Sequence, residues 1–185
     1  METPARNMFP RRPGRRRHGA LPAAAVMAVL GAAAPALAED GAWSTYRNAR
    51  FGTTADYPAQ LFVVRDVPPA NGDGQGFRTE DGRATLLIYG ARNAENHTPA
   101  SYLAKYVDLE GVAVSYRRVT GRFYVVSGMR GENVFYERCN FAPVPHGIID
   151  CIGITYPADE KEMWDPVVAR LGASLRAGRG IEPRS

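Results

Sequence analysis

Val112 to Tyr156, VAVSYRRVTGRFYVVSGMRGENVFYERCNFAPVPHGIIDCIGITY, decides the architecture of this 185-residue chain. Four runs rich in β-branched and aromatic residues (Val112 to Arg117, Phe123 to Met129, Val134 to Phe141, Ile148 to Tyr156) are separated by Thr120-Gly121, Arg130-Gly131-Glu132-Asn133 and Pro143-Val144-Pro145-His146-Gly147. Runs of this composition bounded by turn formers predict strands. Spacers this short allow only antiparallel connections, because a parallel pair needs a crossover of a dozen residues or more. The stretch therefore predicts a four-stranded antiparallel meander.

Upstream, Trp43 to Tyr57 reads as two short strands around Gly52, stopped by Pro58, and Leu61 to Val67 as a strand ended by Pro68-Pro69. Ala70 to Gly76 reads as a glycine-rich loop. Asp81-Gly82 predicts a type I′ turn pairing Phe77 to Thr79 with Arg83 to Tyr89. Thr98 is placed to cap a helix whose first residue is Pro99, where the missing N–H costs nothing. Tyr102, Leu103, Tyr106, Val107 and Leu109 give that helix one apolar face, and Gly111 stops it. A second helix is expected over Asp159 to Ala177, with Trp164, Val167, Leu171 and Leu175 on its stripe and Pro166 in or near its first turn. The order of elements predicts an α+β fold, an antiparallel β-sheet with two amphipathic helices packed on it.

The N-terminus reads as a secretory signal peptide: arginines at 11, 12, 15, 16 and 17, an alanine-rich apolar core, and small residues at Ala36 and Ala38. Cleavage is expected between Ala38 and Glu39. The apolar core is about a dozen residues, short of the roughly 20 needed to span a bilayer, so no transmembrane anchor is expected in the mature chain. The division is then a signal peptide over 1–38, one domain over 39–178 and a flexible tail over 179–185. Residues 1–38 hold six arginines and one glutamate, so the formal charge of +4 falls to about −1 without them. The basic character belongs to the leader, which removes the electrostatic case for a nucleic-acid partner.

Cys139 and Cys151 are the only cysteines. A catalytic redox pair calls for C-x-x-C at a helix N-terminus, and a zinc site for three or four closely spaced ligands. A hairpin centred on Pro145 instead sets the two cysteines opposite each other, and in an oxidising compartment that predicts a structural disulfide. Once the leader is gone, His97 and His146 remain, both read as exposed loop or turn residues. Ser127 lies in an apolar run without a G-x-S-x-G elbow. Asn71-Gly72-Asp73-Gly74 lacks the alternating acids and closing glutamate of a calcium loop, and the acids Glu160, Glu162 and Asp165 suit a helix N-terminus without further function. Asn96-His97-Thr98 matches a glycosylation sequon, idle in a bacterial setting. No catalytic residue, metal or cofactor is expected. Nine tyrosines are many for this length, and a subset could line a groove or partner surface.

Tyr46-Arg47-Asn48-Ala49-Arg50-Phe51-Gly52 with Asp56-Tyr57-Pro58 resembles the start of the PsbP-like superfamily, in which Y-x-N-x-x-x-G leads into a strand ending in Tyr-Pro. Thr53 stands where an aromatic is usual. The similarity in element order spans residues 43 to 177. The resemblance implies an α/β/α sandwich and a non-enzymatic binding or assembly role, as in exported bacterial members, and carries no catalytic residue onto this chain. The expectation is a monomeric periplasmic or extracellular module that binds an envelope protein or small ligand. The alternative is a small secreted hydrolase, or hydrolase inhibitor, with a tyrosine-lined cleft. Non-reducing intact-mass measurement of the exported protein should show a chain beginning at Glu39 with no free thiol, and alkylation of both cysteines without reductant would refute the disulfide.

Overall fold

The computed structural model describes residues 43–143 and 147–177. The expected signal peptide over 1–38, the expected cleavage site at Ala38 and Glu39, His146 and the expected tail over 179–185 lie outside the described residues. The architecture is mixed α+β, with two antiparallel sheets and two helices.

Strands β1 (Trp43–Arg47) and β2 (Thr54–Pro58) form a two-stranded hairpin. The other seven are β3 (Val64–Arg65), β4 (Gly74–Arg78), β5 (Thr85–Arg92), β6 (Ala113–Val119), β7 (Phe123–Arg130), β8 (Asn133–Phe141) and β9 (Ile148–Pro157). They make one antiparallel sheet in the order β3-β4-β5-β9-β8-β7-β6. Helix α1 (Pro99–Tyr106) lies between β5 and β6, and α2 (Lys161–Ser174) follows β9 after a single 3₁₀ turn at Ala158–Glu160. Thr98 caps α1 in a capping box with Ser101, as Thr98 Oγ1 accepts from Ser101 N while Ser101 Oγ accepts from Thr98 N.

Side chains alternate between the two faces of a strand, so register decides what each helix meets. One face carries Phe77, Leu86, Ile88, Ile152 and Ile154, which pack against Trp164, Val167 and Leu171 of α2 and against Ala55 and Tyr57 of β2. Tyr124, Val126, Phe135, Cys139, Ile149 and Cys151 point the other way and pack against Leu103 of α1. The β1–β2 hairpin is fastened to the far end of the chain: Thr54 and Arg176 exchange both backbone hydrogen bonds, and Asp56 N donates to Ser174 Oγ at 2.9 Å. Among the described residues no helix is long and apolar enough to cross a membrane.

The structure amends four local expectations. Only Val64–Arg65 of the run 61–67 pairs, because Leu61 N and Phe62 N turn back onto Pro58 O and carry Phe62 into the core beside Trp164. Gly74 and Gly76, expected in a loop, lie in β4. A Cβ at Gly74 would stand 2.6 Å from Tyr89 Cβ and 2.7 Å from Ile88 O, so glycine is what lets β4 approach β5 there. The β4–β5 turn has positive φ at Gly82 and not at Asp81, so it is not type I′; Gly82 N donates to Thr79 O. Helix α1 ends at Tyr106, and Val107 is already extended.

Gly128 and Gly153 test this description. A Cβ at Gly128 would meet Ala113 O at 2.5 Å and Val114 Cα at 2.9 Å, both backbone of β6, whereas nothing lies within 4 Å of one at Gly153. Denaturant unfolding should show Gly128→Ala destabilised by about 1–3 kcal/mol and Gly153→Ala within about 0.5 kcal/mol of the parent.

Candidate functional site

Three transverse rows of residues cross the α1 face of the large sheet. The first is Gly74, Tyr89, Cys151, Cys139, Tyr124 and Val119, running from β4 through β5, β9, β8 and β7 to β6. The second is Gly76, Leu87, Gly153, Glu137, Val126 and Arg117, and the third Arg78, Thr85, Thr155, Phe135, Gly128 and Val114. The α1 side chains cover the first row. Large side chains are missing from the second row at Gly76, where Asp66 lies over the glycine, and at Gly153, where nothing lies within 4 Å and the sheet floor is open.

The result is a groove of about 560 Å³ floored by Gly76, Leu87, Gly153 and Glu137. Asp66 forms one wall, with Arg78 Nε donating to its Oδ1 at 2.7 Å. Tyr106, Val107 and Asp108, at the end of α1, form the other. Arg130 closes the end toward the third row, its guanidinium 5.5 Å from the Phe135 ring centroid and donating to Asp108 O at 2.7 Å. Leu87 remains 45% exposed, so the floor offers apolar area to a ligand without being filled from within the chain.

Glu137 gives this groove its chemical character. Its Oε1 accepts a short hydrogen bond from the Tyr124 hydroxyl. Burial raises its carboxyl above the ordinary glutamate value, with the Tyr124 bond and the Arg130 charge acting in the opposite direction. Tyr124 and Tyr89 are held neutral, since burial and then the Glu137 charge push both hydroxyls well above the usual tyrosine range. Behind them the Cys139 and Cys151 sulfurs stand 1.98 Å apart with Cα atoms at 4.2 Å, fully buried. Tyr124 Oη lies 3.0 Å from Cys139 Sγ. A half-buried acid, a neutral phenol and a sulfur pair thus share one wall of packed aromatic residues.

Sequence reasoning passed over Glu137, reading the FYERC run as plain strand. A signal was available, because Glu137 is two residues from Cys139 and so must share the face of any inward-pointing cysteine.

The residues singled out from the sequence are dispersed. Ser127 Oγ donates to Phe135 O at 2.8 Å, and His97 hydrogen-bonds elsewhere, to Ser101 and Glu95. Glu160 is occupied by Arg83 and by the Trp164 indole, and Asp165 by Lys161. Asn71 and Gly72 are tied to the β1–β2 turn through Arg50 and Asn48, and Asn71 Nδ2 donates to Asp73 at 2.7 Å. No group of three or more metal-ligating side chains occurs among the described residues. His97 departs from the expected exposed position: its side chain is only 15% accessible and packs edge-on against Tyr102 and Tyr106. Its Nδ1 is 3.1 Å from Ser101 Oγ and its Nε2 3.0 Å from Glu95 Oε2. That Ser–His–Glu string has the partners of a hydrolytic triad. However, Ser101 Oγ also serves the Thr98 backbone as a helix cap, and Lys105 holds Glu95 at 2.6 Å.

No family model matches the sequence, and no curated protein matches it. The fold is similar to that of cyanobacterial PsbP (CyanoP) from Synechocystis sp. PCC 6803, known from its solution structure. The TM-score is 0.54 at 12% identity, covering 80% of this chain and 98% of that one. At this identity the likeness establishes a PsbP-like fold and nothing further.

Glu137 generates a pH prediction. Its folded pKa lies above the ordinary glutamate value, so as pH rises past that ordinary value the unfolded chain releases the proton first and folding stability falls until the folded value is passed. Glu137→Gln keeps an oxygen acceptor for Tyr124 and removes this loss. Thermal melts should match the parent near pH 4 and exceed it at pH 8; a less stable variant at pH 8 would mean that the carboxylate is favoured instead.

Proposed function

We propose that this chain is an exported, non-catalytic binding or assembly module of PsbP-like fold, and that the groove on the α1 face is its ligand seat. In this reading the leader over 1–38 is removed, and residues 39–178 act as one monomeric domain. Its seven-stranded sheet is the central layer of an α/β/α sandwich.

The observation that carries the reading is the second transverse row, where Gly153, with nothing within 4 Å of a Cβ placed on it, leaves the sheet floor open between Leu87 and Glu137. A sheet face that needed only a core would fill that position with a side chain, as the opposite face does with Leu86, Ile88, Ile152 and Ile154. Concave sites with apolar area and a few placed polar groups are where small ligands and partner side chains bind. The acids of the lining, Asp66, Asp108 and Glu137, outnumber Arg130 on it, which favours a ligand or partner side chain with a hydrogen-bond donor or positive charge. The buried sulfur pair and the N-terminal pattern support a site of action in an oxidising compartment.

A second reading, a small hydrolase, is favoured only by the Glu95–His97–Ser101 string. None of those three residues lines the groove, and Ser101 Oγ sits inside the first turn of α1, engaged with the Thr98 backbone. Two measurements separate the readings. Affinity capture with the mature, oxidised protein from its own envelope extract should recover a species that Gly153→Trp fails to recover. Ester and peptide turnover should be no different between the parent and Ser101→Ala. Turnover abolished by Ser101→Ala, together with capture indifferent to Gly153→Trp, would reverse the assignment.

A further inference from the structure

The large sheet ends differently on its two sides. Strand β3 is two residues long and β4 beyond it is covered by Asp66. Strand β6 runs for seven residues, every one of them exposed, and no described strand pairs with its outer edge. Natural sheets normally shorten, cover or distort such an edge, because its free N–H and C=O groups template another strand. Here the only distortion is a register irregularity between Val114 and Tyr116, where Ser115 Oγ donates to Ser127 O at 3.3 Å. From Tyr116 to Val119 the strand is regular again.

Its side chains combine apolar area with one sign of charge. Tyr116 is 50% exposed and Val119 36%. Arg117 lies on the α1 face of the sheet and Arg118 on the other, its guanidinium 5.5 Å from the Phe123 ring centroid. From Ala113 to Phe123 the chain holds three arginines and no acidic residue, whereas over residues 43–177 basic and acidic residues balance at fifteen each. The positive charge is therefore a local property of this edge and its turn.

We propose that β6 is a docking edge that accepts, as an eighth antiparallel or parallel strand, an extended acidic segment of a partner protein. Main-chain hydrogen bonds to the outward-facing groups of Arg117 and Val119 supply affinity, and alternate side chains supply selectivity. Carboxylates on both faces of the incoming strand meet Arg117 and Arg118, while its apolar residues meet Tyr116 and Val119. A second copy of this chain is the poorer occupant, since pairing two β6 edges sets arginines against arginines and like charges across a strand pair are destabilising. The edge is separate from the groove of the proposed function, and neither reading needs the other.

The test uses the purified protein and a synthetic eight-residue peptide in which pairs of glutamates alternate with pairs of valine or threonine, so that each face of the strand carries both kinds, beside a counterpart in which lysine replaces each glutamate. Fluorescence anisotropy should show binding of the glutamate peptide that weakens as salt is raised. Hydrogen exchange should show new protection at Arg117 and Val119. The exposed double substitution Arg117→Glu with Arg118→Glu, checked for folding by circular dichroism, should weaken the glutamate peptide at least about tenfold and bind the lysine peptide instead. Val119→Pro, which removes an edge N–H without touching charge, should weaken binding of the glutamate peptide to the parent arginines. Equal binding of the two peptides, protection elsewhere than β6, no binding at millimolar peptide, or a concentration-dependent dimer dispersed by the same substitutions would each overturn the proposal.

Discussion

The pairing of β8 with β9, fixed where Cys139 faces Cys151, is the constraint from which the rest of the molecule follows. A strand shifted by one residue would exchange its two faces, sending Ile152 and Ile154 away from α2 and the cysteines into its path. With the pair in register, Tyr89 and Tyr124 fall into line on either side and make a surface on which Leu103 and Tyr102 of α1 can rest. The same registration puts Glu137 two residues along, on the same face, at the rim of what α1 covers. A cross-strand clamp thus sets both a core and the place where that core stops.

The two faces of the sheet are built for different ends. Beneath α2 the middle of the sheet is filled with aliphatic and aromatic side chains, and Trp164 stacks on Tyr156 and tilts against Phe62. Beneath α1 the helix is short, ending at Tyr106, and the rows past its last turn hold glycines, threonines and one acid beside Leu87, Val126 and Phe135. A fold of this size has little reason to leave apolar floor uncovered unless something else covers it. That asymmetry is the physical basis for assigning a ligand seat to one face and a purely structural role to the other.

The meander, its turns and the capped start of α1 were legible because each is written locally. β-Branched runs, a Thr-Pro helix entry and proline-rich spacers act within a few residues. What was not legible depended on neighbours remote in sequence. Gly74 and Gly76 look like loop residues until Tyr89 and Asp66 are placed above them, and only then do they become strand positions chosen for close approach. His97, correctly placed in a loop, looked exposed because Asn93, Glu95 and Ser101, which hold it, carry no period of their own. Glu137 was hidden for the opposite reason: its run is so strand-like that a single charged residue reads as solvent-facing, although parity with Cys139 placed it inward.

The pair of backbone bonds between Thr54 and Arg176 joins the two ends of the described chain. The first hairpin rests on Phe77 and on the chain at Asn71 and Gly72 as well, but its seat is complete only once the last helix exists, and the core on the α2 face cannot close around a partial chain. Contacts of such long span form late and slow the folding of a polypeptide. In a chain of this design the α2-face core stays incomplete until its C-terminal helix is present, so losing that helix would loosen the first hairpin at the opposite end of the sequence as well.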